Sequence, residues 1–103
     1  MPSVYTCGTW TVKPGREGEF VAAWNELVDW TFANVQGASW VKLLQSNEEP
    51  NRFISVGPWE SEEAIANWRA SDGFQQRVGA IGELLESFEP GVFEARLELG
   101  DVA

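Results

Sequence analysis

The stretch Ala38-Ser39-Trp40-Val41-Lys42-Leu43-Leu44-Gln45-Ser46-Asn47-Glu48-Glu49-Pro50-Asn51-Arg52-Phe53-Ile54-Ser55-Val56-Gly57-Pro58 holds two apolar runs on either side of a polar turn. Residues 38–45 and 52–58 read as strands, because aliphatic, aromatic and β-branched types dominate them. The turn at 47–51 is acidic, contains proline and joins the strands as a hairpin with a loop of moderate length.

Upstream of the hairpin, residues 17–34 follow helical spacing. Phe20, Ala23, Trp24, Leu27 and Trp30 recur at three and four residues and form one apolar stripe. Glu17 and Glu19 stand near the positive end of that helix, where carboxylates are favoured. Before it, residues 4–12 alternate as a strand that stops at Pro14-Gly15. Val4, Thr6, Gly8, Trp10 and Val12 share one face, and Tyr5, Cys7, Thr9 and Thr11 share the other.

Downstream, Ser61 reads as an N-cap with Glu62 and Glu63 in the first turn. A helix runs through Ala64, Ile65 and Trp68 and restarts at Ser71 or Asp72, where Phe74, Val78, Ile81 and Leu85 make the next apolar stripe. Pro90-Gly91 breaks the chain, and residues 92–99 alternate as a last strand. The order is β-α-β-β-α-β, an α+β ferredoxin-like pattern with one antiparallel sheet and helices on one face. It spans residues 1–103 as a single domain with no linker or repeat. The uncovered sheet face, carrying Tyr5, Cys7, Ile54 and Val56, calls for a partner, and a second copy of the chain is the simplest one.

Composition narrows the function. Seven basic residues against sixteen acidic give a formal charge of −9, which repels nucleic acid and anionic membranes. No apolar run approaches the length that spans a bilayer. Met1-Pro2-Ser3 leads straight into the first strand without the basic and apolar segments of a secretory signal, and Cys7 is the only cysteine, so a reducing, cytoplasmic setting is expected. There is no histidine. That excludes Ser-His and Cys-His nucleophiles, and no carboxylates cluster at metal-ligand spacing. The adjacent pairs Glu48-Glu49 and Glu62-Glu63 read as solvated faces.

Three segments carry a family resemblance. They are Val12-Lys13-Pro14-Gly15-Arg16-Glu17-Gly18-Glu19-Phe20, then Asn51-Arg52-Phe53-Ile54-Ser55-Val56, then Trp59-Glu60-Ser61-Glu62-Glu63-Ala64-Ile65 with Trp68-Arg69-Ala70-Ser71. Together they resemble the antibiotic biosynthesis monooxygenase domain of the dimeric α/β-barrel superfamily. The resemblance implies a homodimer that packs through the open sheet face, with a pocket in each subunit between sheet and helices. Thr6, Gly8, Trp10, Ser55 and Trp59 would face that pocket from the sheet, and Trp24, Trp68 and Phe74 from the helices. In polyketide-oxidising members an Asn on the third strand, a Trp at its end and a Tyr in the second helix line the pocket. Here Trp59 matches the Trp, while Ser55 and Ile65 stand at the other two positions. In haem-degrading members Trp68 finds its counterpart, but Gly8 and Val78 stand where Asn and the iron-binding His would be. Without histidine, ordinary axial ligation of haem is not available.

The resemblance therefore implies a cofactor-independent monooxygenase, with neither metal nor haem, acting on a small aromatic, phenolic or quinol-like substrate. An apolar aromatic pocket suits such a ligand, which stacks on Trp and Phe rings and, once ionised, can pass an electron to O₂ itself. The competing reading is a non-catalytic dimeric module that binds a hydrophobic ligand. Trp24 and Phe20 also read simply as core, and Arg69, Arg77 and Arg96 as partners of nearby carboxylates or of an anionic ligand.

Overall fold

The computed structural model describes residues 4–100. Met1-Pro2-Ser3, on which the reading of no secretory signal rests, lies outside them. Seven elements follow one another: β1 (Val4–Val12), α1 (Glu17–Asn34), β2 (Lys42–Gln45), β3 (Arg52–Trp59), α2 (Glu62–Ala70), α3 (Asp72–Gly82) and β4 (Leu85–Glu94). The four strands form one open antiparallel sheet in the order β2-β3-β1-β4. This is the ferredoxin-like α+β arrangement. The long strands β1 and β3 occupy the centre and pair over their whole lengths, from Val4 opposite Trp59 to Thr11 opposite Arg52.

Period-2 alternation divides the strands as the sequence implies. On β1, Gly8, Trp10 and Val12 are buried, while Thr9 and Thr11 between them are only half-buried. On β3, Phe53, Ser55, Gly57 and Trp59 are buried, and Arg52 and Ile54 are exposed. The inward residues meet Phe20 and Leu27 of α1 and Ile81 of α3. Val12, Phe20 and Ile81 have no exposed surface, and the Phe20 ring lies 4.8 Å from that of Phe53 and 5.4 Å from that of Trp10. Each such side chain contributes about 1.5–3 kcal/mol on burial, so this cluster holds helices and sheet together.

Serine caps set the helix boundaries. Ser61 Oγ accepts from the Ala64 amide at 3.1 Å and starts α2. Ser71 does two tasks: its hydroxyl donates to the Trp68 carbonyl at 2.7 Å, closing α2, and accepts from the Phe74 amide at 3.3 Å, opening α3. The helix therefore restarts with a single residue between its two halves.

Two strands depart from the sequence reading. The last strand is Leu85–Glu94 rather than 92–99. Pro90-Gly91 does not break the chain before it but lies inside it, opposite Gly8 and Cys7. β4 is an edge strand, where a residue lacking an N–H is tolerated. Leu85 accordingly opens β4 instead of extending the stripe of α3. The second strand covers only Lys42–Gln45, and Ala38 makes a single bridge to Trp59. The cause is a close crossing: a Cβ on Gly57 would lie 2.7 Å from the Trp40 carbonyl oxygen, so the chain passes over β3 there without continuing the ladder.

Two glycines of α3 separate packing from propensity. Gly73 lies against Trp30 of α1, and a Cβ there would clash with the edge of the indole ring at Cζ2. Gly79 faces open space. Gly73→Ala is expected to destabilise the fold by about 1–3 kcal/mol through overpacking. Gly79→Ala is expected to stabilise it by about 0.5–1 kcal/mol through helix propensity. Urea denaturation of the two variants measures both, and equal midpoints would contradict this α1–α3 contact.

Candidate functional site

Across the central ladder, the inward pairs are Trp10 with Phe53, Gly8 with Ser55, Thr6 with Gly57 and Val4 with Trp59. One pair is bulky, the next two are small, and a tryptophan follows. The small pairs leave the space between sheet and helices unfilled, and a cavity of 640 Å³ lies above them. That is within the range of about 300–1,000 Å³ usual for small-molecule sites. Its floor is Thr6, Gly8, Ser55 and Gly57; its ends are Trp10 and Trp59; Trp24, Leu27, Thr31, Trp68, Phe74 and Val78 close it from the helices. Phe32 and Gln75, exposed and also lining it, mark its opening.

Aromatic contacts order the walls. Trp59 and Trp68 have ring centroids 4.8 Å apart, and Trp68 meets Phe74 edge-on at 4.5 Å. The double cap of Ser71 holds the backbone of both Trp68 and Phe74, which fixes that edge-on pair. At the other end, Phe88 of β4 stacks on Trp10 at 3.8 Å and 16°.

Burying tryptophan requires a partner for its N–H. Three indoles around the cavity solve this alike, each donating to a hydroxyl. Trp68 Nε1 donates to Thr31 Oγ1 at 2.9 Å, and that hydroxyl passes its own proton to the Leu27 carbonyl at 2.7 Å. Trp59 Nε1 donates to Thr6 Oγ1 at 3.1 Å, whose hydroxyl makes a long 3.5 Å contact to the Gly57 carbonyl. Trp10 Nε1 donates to Ser55 Oγ at 2.9 Å. Among the described residues, the Ser55 hydroxyl alone of the three has no protein acceptor for its proton. A hydrogen-bond donor is thus left over in an apolar chamber.

Gly8 makes the Trp10–Ser55 bond possible. A Cβ at that position would stand 2.9 Å from the Phe88 ring, 3.0 Å from Trp10 Nε1 and 3.1 Å from Ser55 Oγ. The position therefore admits no side chain unless the stacked rings and their hydrogen bond shift.

Charge around the site is sparse. Arg69, half-buried in the last turn of α2, lines the cavity, as does Glu86 at the start of β4. Cys7 belongs to the opposite alternation of β1, and burial pushes its thiol pKa up, which keeps it protonated and poorly nucleophilic at neutral pH. Among the described residues, no group of three or more His, Cys, Asp or Glu side chains could hold a metal ion. No helix among them is long and apolar enough to cross a membrane.

All eight residues that the sequence reading turns toward the pocket, Thr6, Gly8, Trp10, Trp24, Ser55, Trp59, Trp68 and Phe74, border this one cavity. Trp59 is 6 % exposed, more enclosed than a residue at an open pocket mouth would be. Ile65, at the position of the family's tyrosine, is buried and does not line the cavity. Sequence reasoning passed over Phe88 and Thr31. Phe88 was hidden by reading Pro90-Gly91 as a break that precedes the last strand, whereas β4 begins at Leu85. Thr31 carries a signal, since it follows Leu27 by four residues on the apolar face of α1.

The antibiotic biosynthesis monooxygenase model matches residues 3–80. SnoaB, a cofactor-independent oxygenase from Streptomyces nogalater, superposes with a TM-score of 0.88 at 25 % identity, over 98 % of this chain and all of the other (100 %). A candidate antibiotic biosynthesis monooxygenase from Bordetella bronchiseptica is 27 % identical over 96 % of this chain and 100 % of its own, with a TM-score of 0.80. A conserved protein from Methanosarcina mazei shares the fold, with a TM-score of 0.81 at 21 % identity over 90 % of this chain and 92 % of that one. No curated relative matches the chain.

Ser55→Ala strands the Trp10 N–H and is expected to cost about 1–3 kcal/mol, the penalty for an unpaired buried donor. Gly8→Ala displaces the same bond and should cost a similar amount. Because both substitutions act on one interaction, the double variant should lose less than their sum. Urea melts of the four proteins test this, and strict additivity would show that Gly8 and Ser55 act separately.

Proposed function

The chain belongs to the antibiotic biosynthesis monooxygenase family, and from that membership we propose a cofactor-independent monooxygenase that oxidises a small aromatic, phenolic or quinol-like molecule in the cavity between sheet and helices. The observation that carries the reading is the unallocated Ser55 proton inside an aromatic chamber. A planar ligand would lie among Trp59, Trp68 and Phe74, gaining stacking and burial. Its phenolic oxygen would accept from Ser55, whose hydroxyl is already polarised by the Trp10 indole. A fixed donor of this kind favours the phenolate over the phenol. The electron-rich phenolate then gives an electron to O₂. In the net oxidation of a ring methylene, one atom of O₂ ends in the new carbonyl and the other in water, and all four electrons come from the substrate. The likeness to the cofactor-independent oxygenase of Streptomyces nogalater supports this class of reaction.

One observation favours a second reading. Ser55 and Ile65 replace the Asn and Tyr of the polyketide-oxidising pattern, and Ile65 does not reach the cavity. A non-catalytic dimeric module that binds a hydrophobic ligand would keep the chamber and dispense with those groups.

The same proposal includes a homodimer through the open sheet face. Phe93 is 60 % exposed, Leu44 52 % and Ile54 50 %, and they share that face with Tyr5, Cys7 and Val56. Apolar side chains grouped in this way are usual at interfaces. Sedimentation should show a dimer at micromolar concentration, and Ile54→Asp with Phe93→Asp should yield a monomer. A wild-type chain that sediments as a monomer would remove the dimer.

Oxygen uptake with a panel of hydroquinones and anthrones decides between enzyme and binding module. Uptake above background is expected, and its absence across the panel favours the second reading. Trp59→Phe should lower stability by only about 1 kcal/mol, the worth of the lost indole hydrogen bond. It should lower turnover or ligand affinity by about tenfold or more, since stacking area is lost with it. A large loss of stability with unchanged activity per folded molecule would make Trp59 plain core.

A further inference from the structure

Taking the cavity as the ligand site proposed above, we infer that its ligand is an aromatic carboxylate and that Arg69 holds the acid group at the rim.

The chain has seven basic side chains among sixteen acidic ones, and six of the seven have partners. Arg16 pairs with Glu19, Arg52 with Glu49 at 3.1 Å and Arg96 with Glu94 at 3.7 Å. Lys13 Nζ donates to the Glu83 carbonyl at 2.9 Å, and Lys42 lies 5.7 Å from the Trp40 ring centroid. Arg77 lies over Trp30 at 4.9 Å and donates from Nη1 to the Gly73 carbonyl at 3.2 Å. Among the described residues, only the Arg69 guanidinium has neither carboxylate, carbonyl nor ring. It is also the only one of the seven that borders the cavity.

Its place at the end of α2 does not account for this. A cation in the last helical turn is favoured by the helix dipole, but that interaction occupies none of its five N–H donors. The backbone carbonyl of Arg69 accepts from Gln75 Nε2 at 2.7 Å, which ties the residue to the cavity opening, where Gln75 also stands. A half-buried guanidinium without a partner among the described residues, in a chain rich in carboxylates, is a docking point for an anion from outside. The planar fork fits a carboxylate with two parallel hydrogen bonds. A dianion such as a phosphate ester would be half-neutralised at best by one cation, with Glu86 on the same cavity and a net charge of −9 around it. Arg69 would thus fix the acid end of the ligand and decide which ring atoms reach Ser55.

Calorimetric titration with 1-hydroxy-2-naphthoate and its neutral twin 1-hydroxy-2-naphthamide tests the inference on wild type, Arg69→Gln and Arg69→Lys. Wild type should prefer the carboxylate by about tenfold or more, equivalent to about 1.4 kcal/mol. Arg69→Gln should bind both compounds as weakly as wild type binds the amide, and Arg69→Lys should retain part of the preference. Equal wild-type affinity for the two compounds would overturn this inference and leave the ligand site standing. So would an undiminished preference in Arg69→Gln, or loss of amide binding in that variant, since its role would then not be charge recognition. Binding of neither compound to wild type would overturn the cavity reading itself, and this inference with it.

Discussion

The hydrogen bond from Trp10 Nε1 to Ser55 Oγ, passing over Gly8, is the contact on which the rest of the chamber depends. On one side of it lie Val12, Phe20, Phe53 and Ile81, packed with almost no exposed surface. On the other, the sheet presents only Gly8, Thr6 and Gly57 before Trp59 closes the far end. Trp10 is the wall between solid core and void. Its ring is held by Phe88 on one face and its N–H by Ser55, so it cannot swing into the empty space without losing both. A larger residue at position 8 would fill part of the floor and displace the wall together.

A void of this size is a liability in a small domain, because apolar surface left facing it forfeits dispersion contacts and burial. The fold limits the loss by confining the void to one end of the sheet–helix interface and by giving three of the indoles that line it, Trp10, Trp59 and Trp68, hydroxyl partners for their N–H groups. Trp59 and Trp68 use hydroxyls that relay to backbone carbonyls, which makes those walls chemically closed. Ser55 on the floor keeps a hydroxyl proton without a protein acceptor among the described residues, and Arg69 near the opening keeps a guanidinium without a partner among them. Such an arrangement would orient a flat ligand by its two ends and leave its faces to stacking.

The strand faces, the serine N-cap at Ser61 and the aromatic residues around the cavity were legible in the sequence, because period-2 and period-3.6 patterns place side chains before any contact is known. The void itself was not. It arises from Gly8 meeting Ser55 and Thr6 meeting Gly57, and only the register brings small beside small. The last strand was misplaced because Pro90-Gly91 looks like a break unless the strand is known to be an edge. That error hid Phe88, and with it the stacking that holds Trp10. Arg69 could be named as a cation beside a helix end, but the absence of a carboxylate partner for it among the described residues is a tertiary fact. Sixteen acidic residues made the opposite outcome the natural expectation.

Because side chains alternate, each central strand serves two surfaces, and residues one apart answer to different demands. Thr6, Gly8 and Trp10 shape the chamber, while Tyr5, Cys7 and Thr9 alternate with them toward the open face, Cys7 still bordering the cavity. Ser55 supplies the spare donor, and its neighbours Ile54 and Val56 face outward. A partner packed on the open face would therefore press on the backs of the strands that carry Ser55 and Trp59. It would stiffen the floor of the chamber without entering it, since a β-strand shifts as a ribbon and its two faces move together. The chamber wall would provide the shape for a ligand, and the opposite face is where a partner would hold that shape fixed. Period-2 alternation lets one short sheet do both, with polar and small residues inward where a ligand needs room and apolar residues outward where a second surface can bury them.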